Sequence, residues 1–178
     1  LLALPLGLWL GHRHRGLTLA LGVSTVGRAL PSVVLIAFGI AILGVGFWNN
    51  TAALVVLGIP PILTNAYFAI DGVEPQVVEA ARGMGLTEWQ ILLRVELPLG
   101  LSLVVAGIRI AAVFVIATAT IAAIAGGGGL GEIIVNQASY GLAGVVAAAL
   151  CVSALAFLTA LALGAVHGAV ARRYGPGT

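Results

Sequence analysis

Residues 79–98 read EAARGMGLTEWQILLRVELP, and this stretch decides how the rest of the chain is read. It holds five charged side chains, Glu79, Arg82, Glu88, Arg94 and Glu96, in a 178-residue chain with eight arginines, six carboxylates and no lysine. Apolar segments of membrane-crossing length flank it on both sides. A composition of 61% hydrophobic and 8% charged residues excludes an ordinary soluble domain, which carries about 25% charged residues. It also excludes disorder, which needs low hydrophobicity. The expected fold class is all-α, a polytopic transmembrane helical bundle forming one domain over 1–178. Its one polar interruption is a surface for a soluble partner.

Local grammar makes that interruption a helix, a glycine turn and a second helix. Pro75 suits a helix start, and Gln76 to Ala81 continue it. Gly83 and Gly85 end it, since glycine accepts the left-handed geometry of a helix stop. Thr87 and Gln90 have the spacing of a capping box that opens the second helix. Trp89, Leu92, Leu93 and Glu96 are expected to share much of one face, and Leu97-Pro98 to begin the next span. Ala80 and Ala81 are expected to keep the first helix small on the side a partner approaches.

Outward from the loop, the chain divides at prolines, glycines and polar pairs. The opening LLALPLGLWLG is eleven residues, about 16 Å of helix against a hydrocarbon core of roughly 30 Å. The HRHRG that follows stands where a signal peptide would carry small residues. It is read as the inner end of a span whose start is missing. Then come a short helix over 17–29, a span over 31–47, a turn at Asn49 and Asn50, and a span over 51–70 kinked at Pro60 and Pro61. After the 71–98 loop follow a span over 98–125, a glycine break at 126–129, a short segment over 130–139 and a last span over 142–167.

Alternating these spans places Arg13, Arg15, Arg82, Arg94, Arg172 and Arg173 on one side. Asn49, Asn50, Glu132, Asn136 and Gln137 fall on the other, without a basic residue. The positive-inside bias makes the 71–98 loop cytoplasmic and puts Trp48 and Tyr140 at the outer interface. The net charge of +2 gives no reason to expect nucleic acid.

The spacing Glu79-Ala80-Ala81, three residues, Gly85, nine residues, Val95, one residue, Leu97-Pro98 resembles the EAA loop of type I ABC importer permeases, with valine where isoleucine is usual. Further stretches look like the osmoprotectant branch of that family: Ala106-Gly107-Ile108-Arg109, Ala117-Thr118-Ala119-Thr120, Gly128-Gly129-Leu130-Gly131-Glu132, Leu30-Pro31-Ser32 and Gly44-Val45-Gly46-Phe47. The resemblance implies a MetI-like architecture in the bacterial plasma membrane and a non-enzymatic permease. Glycine betaine, choline and carnitine are the implied cargo; the alternatives are methionine, a sulfonate or an ergothioneine-like betaine, or a membrane subunit that does not transport. Glu79, Ala80, Ala81, Arg82, Gly83, Gly85, Glu88, Leu97 and Pro98 would form the region coupled to a cytoplasmic ATPase. ATP and Mg would sit on that ATPase, and this chain would bind no cofactor. The other implied partners are an extracytoplasmic substrate-binding protein or domain, a second permease copy or paralogue, and the lipid bilayer.

Several other residues carry two readings. Arg109 lies about 16 Å into its span. It either lines the pathway or fixes the gate, or else it snorkels or pairs with a loop carboxylate such as Asp71 or Glu74, because a membrane arginine needs a partner or a wet cavity. Arg28, Asn65, Thr118 and Thr120 are the other polar candidates for pathway or gate. Glu132, Asn136 and Gln137 are candidate contacts for a binding protein. Gly126, Gly128 and Gly131 fit G-x-G-x-x-G, but no strand precedes them and position 151 is Cys151 rather than an acid. They read as a break between helices, and Cys151 as a small buried side chain. His12 and His14 lack the i,i+4 spacing of a helical metal site and read as a basic interfacial cluster. No catalytic constellation and no aromatic cage can be assembled. Gly107 with Ala111, and Gly164 with Gly168, suit close helix packing.

Overall fold

The computed structural model describes residues 2–14, 16–29 and 31–174; within these it leaves out the side chains of Leu19, Leu21, Val26, Arg28, Ala29, Ile124, Arg173 and Tyr174. Among the described residues there are helices and no strands. The α-helices are α1 (Ala3–His12), α2 (Leu17–Ala29), α3 (Ser32–Leu43), α4 (Phe47–Asp71), α5 (Pro75–Gly83), α6 (Glu88–Ile91), α7 (Leu97–Ile121), α8 (Leu130–Val135) and α9 (Gln137–Tyr174). A π-helical turn, Leu92–Glu96, joins α6 to α7, and a 3₁₀ turn, Ala122–Ala125, ends α7. Among the described residues, three stretches are long and apolar enough to cross a membrane: Phe47–Asp71, Glu88–Ile121 and Gln137–Arg172.

Two expected boundaries move. The span over 31–47 is the 12-residue α3, about 18 Å long and too short to cross alone. It stops at Gly44, whose φ of 77° is left-handed, and Gly46 follows at 139°. Residues 44–46 are therefore the turn. Asn49 and Asn50, expected there, lie in the first turns of α4 and are buried. At Pro60 and Pro61 the helix continues, although each proline removes a backbone donor. The Thr64 hydroxyl and the Asn65 amide donate to the Pro60 and Pro61 carbonyls, both at 2.7 Å.

The contacts divide the chain into two compact units. The first comprises Leu1–Thr25, Pro60–Ile110 and Ala162–Thr178. In it, α1 lies on the 63/66/67/70 face of α4. A Cβ on Gly7 would fall 2.7 Å from that of Ala66, and one on Gly11 would fall 2.6 Å from the Tyr67 carbonyl oxygen. The neighbouring 61/65/69 face takes α7. There a Cβ on Gly100 would fall 2.2 Å from the Ala69 carbonyl oxygen, and one on Gly107 would fall 2.5 Å from the Asn65 Cβ. Small residues let these backbones meet, which is how helices associate where lipid removes the hydrophobic incentive. The last part of α9 joins α7 through Ser102 and His167, 2.9 Å apart. Of the pair expected to suit close helix packing, Gly164 meets Arg109 and Gly168 faces open space.

The second unit comprises Val26–Ile59 and Ala111–Leu161. Its core is Ile36, Ala53, Ala122 and Ala125, with Ile40 and Ile121 against them. The Asn49 amide donates to the Ile36 carbonyl at 3.3 Å, tying α4 to α3. The Gly46 N–H donates to the Ala125 carbonyl at 3.2 Å. After left-handed Gly126, Gly128 and Gly129, α8 turns back on α7 so tightly that a Cβ on Gly131 would sit 2.5 Å from the Thr120 carbonyl oxygen. The G-x-G-x-x-G residues thus serve a helix-to-helix reversal. Gly141 breaks α9 with a φ of 67°, as the expected start of the last span at 142 requires. Cys151, expected to be buried, is exposed on α9.

The division also sorts the charges. Arg28 and Glu132 belong to the second unit, and every other arginine and carboxylate belongs to the first.

Candidate coupling site

The 71–98 loop is a small structure with its own core. Pro75 is in the first turn of α5. The helix ends in a Schellman motif: Leu86 N–H donates to the Ala81 carbonyl at 3.3 Å, and Gly85 N–H to the Arg82 carbonyl at 3.0 Å. Gly85 supplies the left-handed residue, with a φ of 83°; Gly83 is an ordinary helical residue. The Thr87 and Gln90 capping box is present in both directions, with 2.9 Å for Thr87 N–H to Gln90 Oε1 and 3.4 Å for the return bond. Val73, Val78, Ala81 and Ile91 form the core, closed by Leu86 and Val95.

Three details of the expected loop are corrected. Ala81 is buried in the loop's own core, so its small size lets α5 pack on α6; only Ala80 of the pair is exposed. The second helix keeps α-helical geometry for four residues, then widens into the π turn and runs on into the span. Pro98 explains the location, because it has no N–H for the preceding turn and a wider turn absorbs the missing bond. The π turn also rotates the side chains. Trp89 and Leu93 are exposed while Leu92 and Glu96 are buried, so the four do not share one face.

The outward surface mixes charge with large apolar groups. Glu79, Ala80, Arg82, Gly83, Gly85, Glu88 and Arg94 are exposed. Beside them stand Val77, Met84, Trp89 and Leu93, with Met84 73% and Trp89 65% exposed. Arg82 grips Glu88 with two bonds of 2.9 and 3.1 Å, bracing the glycine turn from outside. That carboxylate holds the Arg82 guanidinium above its ordinary pKa. Leu97 and Pro98 are half-buried at the foot of α7.

The loop is tied down at both feet by residues that sequence reasoning left as a basic cluster. His12 Nδ1 lies 2.6 Å from Glu96 Oε2, and Glu96 is only 1% exposed. His12 Nε2 lies 3.3 Å from Glu88. His14 Nδ1 lies 2.9 Å from Asp71, where α4 ends. The signals available were the Gly7-x-x-x-Gly11 packing motif, which fixes α1, and a lone acid at the start of an apolar helix.

The pathway candidates fall in both units, Asn65 and Arg109 in the first, Arg28, Thr118 and Thr120 in the second. Asn65 is used against the Pro61 carbonyl and Gly107. Arg109 pairs with neither Asp71 nor Glu74; its guanidinium lies 3.4 Å from where a Gly164 Cβ would be. The side chain of Arg28 is outside the described residues. Thr118 is buried. Thr120 lines a cavity of ≈ 330 Å³ in the second unit, with Phe47, Asn50, Thr51 and the glycine turn. Glu132, Asn136 and Gln137 are exposed around the junction of α8 and α9. Among the described residues, no three His, Cys, Asp or Glu side chains are grouped as a metal site.

The chain is similar to known proteins. The model of the family described as "Binding-protein-dependent transport system inner membrane component" matches residues 3–174. The carnitine transport permease protein OpuCB of Listeria monocytogenes is 39% identical over 163 residues, 91% of this chain and 75% of that protein. The glycine betaine/carnitine/choline permease OpuCB of Bacillus subtilis is 38% identical over 134 residues, 75% of this chain and 62% of that protein. The choline permease OpuBB of the same organism is 39% identical over 134 residues, with the same shares. The chain thus spans between three fifths and about three quarters of the length of these relatives. Among solved structures, the MetNI methionine ABC transporter in an inward-facing form has the same fold. It matches with a TM-score of 0.76 and 24% identity over 94% of this chain and 85% of that one. The chain belongs to the family of binding-protein-dependent transport system inner membrane components and is a permease subunit of an ABC importer.

Proposed function

We propose that this permease carries small quaternary-ammonium osmoprotectants of the glycine betaine, choline and carnitine type, and that its 71–98 loop is where a cytoplasmic ATPase drives it. The observation that carries the coupling reading is the exposed ridge of Glu79, Ala80, Arg82, Met84, Gly85 and Trp89, built on a buried core and anchored at both feet. Large apolar groups on a charged loop suit a protein partner better than bulk water. The substrate reading rests on the names of the relatives given above.

In this reading the chain passes several times through a bacterial plasma membrane, with the loop inside. The gathering of charge into the first unit supports that orientation. A binding protein delivers substrate on the outer side, and Glu132, Asn136 and Gln137 are offered as its contacts. A second permease copy or paralogue supplies the other wall of the pathway. In support, only 6% of the most apolar stretch of α9 is buried, which leaves surface for lipid or another helix. ATP and Mg act on the ATPase, and this chain does no chemistry. ATP binding draws the two loops together and opens the pathway outward; hydrolysis resets it. That needs different loop contacts in the two states, as any ligand-driven shift does. Arg28, Asn65, Arg109, Thr118 and Thr120 are offered as the polar pathway and gate set.

The test is reconstitution of the full importer in liposomes. ATP hydrolysis should rise with the ligand-loaded binding protein, uptake of labelled glycine betaine or choline should follow, and Gly85→Asp should abolish both. Stimulation by methionine or a sulfonate alone would overturn the substrate reading.

A further inference from the structure

The two histidines of the HRHRG segment reach the two ends of the 71–98 loop. His14 meets Asp71, the last residue of α4, at 2.9 Å. His12, the last residue of α1, meets Glu96, the last residue before α7, at 2.6 Å. These pairs span 57 and 84 positions of sequence. His12 also faces Glu88 at 3.3 Å, and Glu88 holds Arg82, so a continuous chain of polar contacts runs from the glycine turn back to α1.

The geometry is specific in three ways. Glu96 is 1% exposed, and a carboxylate removed from water needs a fixed donor. Both His12 ring nitrogens face carboxylate oxygens, so the ring is held at two points. His14 is held at a φ of 47°, a left-handed conformation uncommon outside glycine, and its side chain is spent on Asp71. α1 itself cannot slide freely, because Gly7 and Gly11 key it into α4 with no room for a methyl group.

We infer that His12 and His14 are positioning residues that clasp the two feet of the loop. When the loop is displaced, α1 and the ends of α4 and α7 then move as one body. The inference rests on the coupling reading of the loop proposed above. Without the clasp, a push on α5 and α6 bends the loop at its feet and little of it reaches the helices.

The test measures substrate moved per ATP hydrolysed by the full importer in liposomes. In His12→Ala, and in His12→Ala with His14→Asn, stimulated hydrolysis should persist while the transport ratio falls about tenfold, the size of an ordinary coupling energy. Asparagine tolerates the left-handed backbone, so that variant removes the tie without adding strain. Glu96→Ala, which removes the acceptor, should act like His12→Ala. Cysteines at positions 12 and 96 in a Cys151→Ser background should lose the ratio, and a short bismaleimide bridge should restore it. An unchanged ratio in the variants overturns the clasp. So does a proportional loss of hydrolysis and transport at constant ratio, or a bridged protein that stays uncoupled. Failure of the coupling reading appears separately, as full stimulation and transport in Gly85→Asp.

Discussion

Leu86 donates its N–H to the carbonyl of Ala81 at 3.3 Å, across the left-handed Gly85. That one bond turns α5 into α6 and presents the exposed ridge as a formed surface. Nothing lies within 4 Å of where a Gly85 Cβ would be, so the glycine is required by its backbone and not by space. Gly85→Ala should therefore cost about 1–2 kcal/mol, the penalty of a left-handed non-glycine residue. Gly83 also has open space but is helical. Gly83→Ala should be neutral or stabilising by up to about 1 kcal/mol. Thermal unfolding of the purified protein in detergent checks the contrast; equal effects at the two positions would contradict the turn.

The glycines of α1 and α7 behave oppositely. A methyl group on Gly11 meets the Tyr67 carbonyl oxygen at 2.6 Å and the Ile70 Cβ at 2.9 Å, and one on Gly107 meets the Pro61 carbonyl oxygen at 3.0 Å. Backbone atoms cannot rotate away as a side chain can. Gly11→Ala and Gly107→Ala should each destabilise by about 1–3 kcal/mol through overpacking. Gly168→Ala, facing open space, should be silent. The same unfolding assay reads all three.

Asn49 explains why Gly39 is glycine. A Cβ on Gly39 would come within 1.9 Å of Asn49 Oδ1, the oxygen that has no hydrogen-bond partner. Gly39→Ala should destabilise by about 1–3 kcal/mol, because the buried Asn49 amide must turn and strain its Ile36 bond. Asn49→Ala should lose the Ile36 bond at about 1–3 kcal/mol. The double variant should be more stable than the sum of the two losses by about 1 kcal/mol or more, since the clash disappears with the amide. Strict additivity would mean that the two residues do not touch.

What the sequence made legible was local. The proline start, the Schellman glycine and the capping box each lie within six residues, and each formed as read. The membrane class was equally readable, from composition. Features set by distant partners were hidden. His12 and His14 looked like an interfacial cluster because Glu96 and Asp71 are far along the chain. The π turn ahead of Pro98 rotates Glu96 away from Trp89, and no 3.6-residue period can show that. α3 was drawn too long because Gly44 and Gly46 sit in an apolar run, where hydropathy does not register a left-handed φ. Asn49 and Asn50 looked like a polar turn, yet their amides bond backbone carbonyls inside the second unit. Ala81 is small to fit its own neighbours, a reason that spacing alone does not separate from fitting a partner.

The most direct measurement of the central claim is site-specific cross-linking in the assembled importer. Single cysteines replace Ala80, Met84 or Trp89 on the ridge, or Glu132 or Asn136 at the junction of α8 and α9, in a Cys151→Ser background. The ridge positions should cross-link to the ATPase subunit with a yield that ATP changes, and positions 132 and 136 should not. ATPase cross-links from position 132 or 136, with none from 80, 84 or 89, would contradict it.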